Sequence, residues 1–150
     1  MEKMTFNASI NANRETVWAI LWGDTTYPEW TSAFCEGSHA VTDWQKGSKV
    51  LFLDGKGSGM VSRVAETIPY EYMSFEHLGE VKNGIEDTES EQVKVWAGAH
   101  ENYTLKTVDN HTELVVEMDS ATIPEDFKSY FLKTWPLAMD KIKALAEAQV

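Results

Sequence analysis

The sequence predicts an α+β fold in which a long C-terminal helix lies across a curved antiparallel sheet of seven strands. Three observations predict it. Residues 3–11 alternate, with Met4, Phe6, Ala8 and Ile10 against Lys3, Thr5, Asn7, Ser9 and Asn11. Strict alternation marks a strand with one buried face. Between residues 38 and 119, short β-prone segments are divided by turn residues. Near the C-terminus Phe127, Phe131, Trp135, Ala138, Ile142 and Leu145 recur at steps of three or four, which makes a continuous apolar stripe on a helix.

In chain order, the first strand gives way to a helix that Asn13 can cap, with Glu15 in its first turn. Val17, Ile20 and Leu21 form its apolar face, and Trp18 and Trp22 stand beside them at i, i+4 spacing. Gly23-Asp24-Thr25-Thr26 ends it, and Tyr27-Pro28-Glu29-Trp30 starts a short second helix. Six strands are expected near 38–44, 48–54, 58–67, 71–79, 99–108 and 111–119. Their punctuation is Lys46-Gly47, Asp54-Gly55-Lys56-Gly57, Ile68-Pro69 and Asp109-Asn110. Successive hairpins make a meander, and the first strand, set apart by two helices, is expected at a sheet edge.

Residues 80–95 carry Glu80, Glu86, Asp87, Glu89 and Glu91 around Asn83-Gly84 and read as a long acidic loop, either a solvated excursion or a lid. Thr122-Ile123-Pro124-Glu125 has the pattern of a capping box. The helix after it, over residues 124–148, meets Pro136, where a kink is expected. A sheet of seven strands curls. A helix laid over a curled sheet need not fill the hollow, which is the physical origin of a pocket.

The bulk properties narrow the function. The chain, residues 1–150, is the length of one domain. Hydrophobic residues at 43% and charged residues at 25% fit a globular protein and neither disorder nor a membrane span. No apolar segment at the N-terminus reads as a secretory signal. The lone Cys35 allows no internal disulfide, which fits the cytoplasm, and it is expected to be a small, at least half-buried apolar residue. A net charge of −11 without a basic stripe argues against nucleic acid and membrane headgroups as partners.

The order of elements resembles the helix-grip fold of the START-like (SRPBCC) superfamily. Several motifs carry the resemblance. Ile10-Asn11-Ala12-Asn13 followed by Val17-Trp18 is similar to the family's passage from first strand to helix, with Asn13 where proline is usual. Tyr27-Pro28-Glu29-Trp30 resembles its short second helix. Trp44-Gln45-Lys46-Gly47-Ser48, Gly59-Met60-Val61, Ile68-Pro69 and Met73-Ser74-Phe75 resemble its middle strands, and Glu101-Asn102-Tyr103-Thr104-Leu105 with Thr112-Glu113-Leu114 its closing hairpin. The likeness spans essentially the whole chain and is closest to the branch named for the activator of a heat-shock-protein ATPase. Most of that branch has no assigned activity, so the name does not imply that this chain stimulates an ATPase.

No constellation with catalytic or metal-binding spacing is present. Gly55-Lys56-Gly57-Ser58-Gly59 lies between strands and reads as a hairpin turn, and neither His-Glu-x-x-His nor Cys-x-x-Cys occurs. No metal or cofactor is therefore expected. His77 follows Met73 and Phe75 at strand spacing and shares their apolar face, whereas Glu76 falls on the other; His100 lies four residues after Trp96. Glu101 can serve as acid or base if buried. Phe52, Phe75, His77, His100, Tyr103, Tyr130, Phe131 and Trp135 are the residues expected to line a site for a small hydrophobic molecule, lipid-like or aromatic. Two other readings compete: a cyclase- or hydrolase-type enzyme using a pocket histidine, and a chaperone-related protein-interaction domain. A homodimer is compatible with the sequence but not specified by it.

Overall fold

A computed structural model describes residues 2–149. The elements run β1 (Lys3–Ile10), α1 (Arg14–Trp22), α2 (Thr26–Thr31), β2 (His39–Val41), β3 (Lys49–Leu53), β4 (Gly59–Ile68), β5 (Tyr72–Lys82), β6 (Ile85–Asp87), α3 (Glu91–Lys94), β7 (His100–Val108), β8 (His111–Asp119) and α4 (Glu125–Glu147). The sheet is antiparallel, in the order β1-β8-β7-β5-β4-β3-β2, with β6 attached to β5. This is the helix-grip arrangement, with β1 at an edge and one strand more than the sequence predicts.

The additional strand comes from residues 80–95, which do not form a loose lid. β5 continues to Lys82, and Asn83 and Gly84 both take positive φ, at 51° and 84°. That backbone makes a tight hairpin, so β6 folds back on β5. The Asp87 carboxylate then accepts from the backbone N–H groups of Glu89 and Ser90, and Ser90 caps α3. Val93 of α3 is fully buried. Acidic composition hid a hairpin and an anchored turn of helix.

Asn13 caps α1 as its sequence position suggests, its side chain accepting from the Thr16 N–H at 2.8 Å. α2 is tied to α1 by the Trp30 indole, which donates to the Leu21 carbonyl at 3.1 Å, and by the Thr26 hydroxyl, which donates to the Ile20 carbonyl at 2.7 Å. The expected capping box at the start of α4 is not made. Pro124 occupies the N-cap without a side-chain bond, so Thr122 falls too early to reach the first turn. α4 runs unbroken through Pro136, which is on its exposed side beside exposed Leu132, where water can serve the carbonyl that loses its backbone partner.

Two irregularities break the pairing of β4 with β5: Leu78 is the extra residue of β5 opposite Val61 and Ser62, and Ala65 is the extra residue of β4 between Val64 and Glu66. Bulges increase local twist and curl a strand. The concave face so formed carries Val50, Val64, Met73, Phe75, Tyr103, Leu105, Leu114 and Val116, all buried. α1, α2 and α4 cover it, with Trp135, Ala138, Met139, Ile142 and Ala146 buried on α4. The stripe on α4 is thus anchored in its C-terminal half, and Phe127 at the other end is exposed.

Replacing Asn13 with Ala removes the only side-chain partner of the Thr16 N–H. Asn13→Ala is expected to lower stability by about 1 kcal/mol, and Asn13→Ser to retain most of it. Urea denaturation of the two variants checks this; equal losses for both would mean that the cap contributes nothing.

Candidate functional site

The hollow of the sheet is filled by aromatic side chains. Trp22 from the end of α1 meets the rings of Phe75 and Tyr103 at centroid distances of 5.4 and 5.0 Å, and Trp44 from the β2–β3 connection at 5.0 Å. Tyr27 lies against Trp22, Trp30, Trp44 and Phe52. Trp135 from α4 meets Phe6, Trp30, Phe34 and Tyr103. Most of these contacts are edge-to-face or tilted, the arrangements that aromatic quadrupoles favour.

A chain of polar groups is buried beside this layer. The Ser62 hydroxyl lies 2.7 Å from Nδ1 of His77, Nε2 of His77 lies 3.2 Å from Oε1 of Glu101, and the Tyr103 hydroxyl donates to Oε2 of Glu101. Strand register builds the chain. Ser62 pairs with His77 across β4 and β5, and Phe75 pairs with Glu101 across β5 and β7. Neutral His77 donates Nε2–H to the carboxylate and accepts from Ser62 at Nδ1, and protonated His77 donates to both, so either form satisfies every member. Burial by itself would raise the Glu101 carboxyl; the hydrogen bond and charge of His77, and then the Tyr103 hydroxyl, outweigh it and hold the pKa below the usual value. Burial, followed by the charge of Glu101, pushes both the Tyr103 and Tyr27 hydroxyls well above the ordinary tyrosine value, so both stay protonated.

Among the described residues, two buried side-chain donors lack partners: Nε1 of Trp22 and Nε1 of Trp135. An unpaired buried N–H costs about 1–3 kcal/mol. Both indoles touch the ring of Tyr103, at 5.0 and 6.1 Å. The backbone of Trp44 is also costly, because its φ of 61° is left-handed, a conformation bulky side chains avoid. Holding it there costs on the order of 1–3 kcal/mol. The half-buried Trp44 ring closes the aromatic layer over Trp22, Tyr27 and Phe75.

Of the eight residues singled out from the sequence, Phe52, Phe75, His77, Tyr103 and Trp135 meet in this interior. Three stand apart. His100 is at the outer face of β7, its backbone N–H donating to the Asp119 carboxylate at 2.9 Å. Tyr130 is exposed, and its hydroxyl donates to the Phe34 carbonyl. Half-buried Phe131 packs beside Tyr130 at the rim. Ser62 lies in phase with Val64 on the inner side of β4, but a lone serine among apolar residues carries no signal of its own, and only strand pairing brings His77 opposite it. Trp22, Tyr27 and Trp44 come from helices and a loop, and only tertiary packing brings them to the sheet. Cys35 is exposed rather than half-buried, since the connection after α2 leads it to the surface. Two open grooves lie outside the aromatic layer, and none of the eight residues lines either. One of about 590 Å³ runs between α2 and the end of α4, by Pro28, Glu29, Lys141 and Leu145. The other, of about 450 Å³, runs between β1 and α4, by Phe6, Ala8, Pro136 and Met139. Among the described residues, no His, Cys, Asp or Glu group of three or more could hold a metal ion, and no helix is long and apolar enough to cross a membrane.

The family profile described as activator of Hsp90 ATPase homolog 1-like protein matches residues 11–147. The chain belongs to this family. Structural likeness agrees. The Aha1 dimer of Colwellia psychrerythraea shares the fold at a TM-score of 0.75 and 19% identity, covering 98% of this chain and 97% of that one. A protein of Mesorhizobium loti, MLL2253, matches with a TM-score of 0.75 and 14% identity, over 99% of each chain. DynU16, from the dynemicin biosynthetic locus, matches at 0.66 and 15% identity, covering 93% of this chain but 46% of that one. At these identities the likeness establishes the fold alone. No curated protein matches the sequence.

Membership in the family leaves the chemistry to the interior groups, and Glu101 gives a direct test. A carboxylate whose folded pKa is depressed contributes stability that is fully present above its unfolded pKa and is lost as pH falls through the folded value. Wild type is therefore expected to lose stability relative to Glu101→Gln as pH drops below about 4. Thermal melts of both proteins across that range check it. A difference that stays flat with pH would mean that the folded carboxylate is not favoured.

Proposed function

We propose that the protein binds a small, largely apolar molecule in its interior, between the concave sheet and α4, with Phe52, Phe75, His77, Tyr103 and Trp135 around it. Trp22 and Trp44 complete that set, while Tyr130, Phe131 and His100 lie toward its periphery. The observation that carries this reading is the pair of unpartnered indole donors in an otherwise satisfied aromatic core. The filled hollow implies that a guest enters by displacing side chains. Trp44 is the candidate to move, because its backbone is strained and its ring is only half buried. Leaving the left-handed conformation would offset part of the cost of lifting the ring.

A protein-interaction role is less well supported. Phe127, Tyr130 and Leu137 are exposed within roughly 80° of one another around α4, but Leu132 stands roughly 140° from Leu137, and the Tyr130 hydroxyl is turned back to the Phe34 carbonyl. Acid–base catalysis has one specific observation behind it, the order Ser62, His77, Glu101, which is that of nucleophile, base and orienting group. A fluorophosphonate that labels Ser62 in wild type but not in His77→Gln, read by intact mass, would support catalysis; an unlabelled wild type would end that reading. The dimer described for the Colwellia relative makes a homodimer reasonable here, and the exposed lone thiol suits a reducing cytoplasm.

Binding is tested by thermal shift with a library of apolar aromatic compounds and by native mass spectrometry of the protein as purified. A guest present at a hundred times its Kd is expected to stabilise by about 2.7 kcal/mol. Trp44→Ala is expected to speed uptake of any such guest. No stabilisation by any compound, together with no co-purifying mass, would overturn the proposal.

A further inference from the structure

We propose that the molecule held in the interior is uncharged and presents a hydrogen-bond acceptor, a ketone- or ester-like oxygen on a ring-bearing apolar body, to the indole N–H groups of Trp22 and Trp135. This rests on the interior being a binding site, and it specifies the chemistry of the guest.

An indole nitrogen only donates, so the missing partner must be an acceptor. The neighbouring Trp30 shows what the core does when an indole is purely structural: its N–H reaches the Leu21 carbonyl at 3.1 Å. Trp22 and Trp135 are buried to the same degree, with 8% and 2% of their surface exposed, and have no such partner. The nearby polar atoms do not supply one. The Tyr103 hydroxyl and the Glu101 carboxylate both keep lone pairs to accept with, but neither makes a hydrogen bond to either indole nitrogen.

Charge selects against an anion. The interior already holds the Glu101 carboxylate, and no lysine or arginine belongs to the aromatic cluster. His77 faces Ser62 and Glu101 and is unavailable to a second carboxylate. A guest anion would lose its hydration and meet a like charge in a medium of low dielectric. That excludes fatty acids and aromatic acids in their ionised form. The lining consists of ring faces and edges set at steep angles, which suits a flat ring more than a flexible chain.

Three probes of one shape separate the possibilities: methyl naphthyl ketone, ethylnaphthalene and naphthoate. At neutral pH the ketone is expected to bind about tenfold more tightly than ethylnaphthalene, and naphthoate more weakly than either. The indole N–H resonances of Trp22 and Trp135 should move downfield with the ketone and not with ethylnaphthalene. Trp22→Phe and Trp135→Phe should each reduce the ratio of ketone to ethylnaphthalene affinity from about tenfold towards one. If either variant fails to fold, the two resonances in the wild-type protein still decide. Equal binding of ketone and ethylnaphthalene, or tightest binding of naphthoate, with the indole signals unmoved, would overturn the proposed chemistry and leave the binding site standing. If none of the three binds, both the chemistry and the site fail.

Discussion

Trp135 is the point on which the packing of the molecule turns. Its ring touches β1 through Phe6, α2 through Trp30, the segment after α2 through Phe34, and β7 through Tyr103. It joins the edge strand, the short helix and the middle of the sheet to α4 at one place. The long helix is therefore fixed less by the length of its stripe than by one large side chain seated in the curvature of the sheet. The rest of the stripe, from Ala138 to Ala146, continues the contact and adds area.

Around that anchor the interior combines two chemistries that normally oppose each other. An ionised carboxylate is costly to bury, and Glu101 is tolerated because two donors answer it from two sides. The Tyr103 proton is turned toward Glu101, and the two flanking indoles have no acceptor. Every other buried side-chain donor and acceptor among the described residues is matched, so the polar network is incomplete only at these two indoles.

Local pattern was enough to read much of the architecture. Alternation gave β1, the Asn13 cap gave α1, and turn residues gave most hairpins. Each of these depends on neighbours in sequence. What was not legible depended on neighbours in space. The hairpin at Asn83-Gly84 was masked by acidic residues on its exposed surface. The cap at Thr122 was displaced by Pro124, two residues further on. At the site, Phe75, His77 and Tyr103 followed from strand phase, whereas Trp22 and Trp44 arrive from elements whose orientation no periodicity reveals. Phe131 lay on the helical stripe and Tyr130 beside it, both before the part of the helix that meets the sheet.

The irregularity between Val61 and Ser62 has one more consequence. A strand keeps time, sending successive residues to opposite sides, and an extra residue shifts that rhythm by one beat for everything beyond it. The extra residue there is Leu78 of β5, since Val61 pairs with Gly79 and Ser62 with His77. His77 keeps to the inner side while Glu76 remains outside, paired with Arg63. Were one residue of β5 deleted here, the beat would be restored and one flank of that strand would be inverted, turning the His77 imidazole outward or the stretch beyond Gly79 over. β5 can accept exchanges of side chain, but it has no tolerance for a change in length.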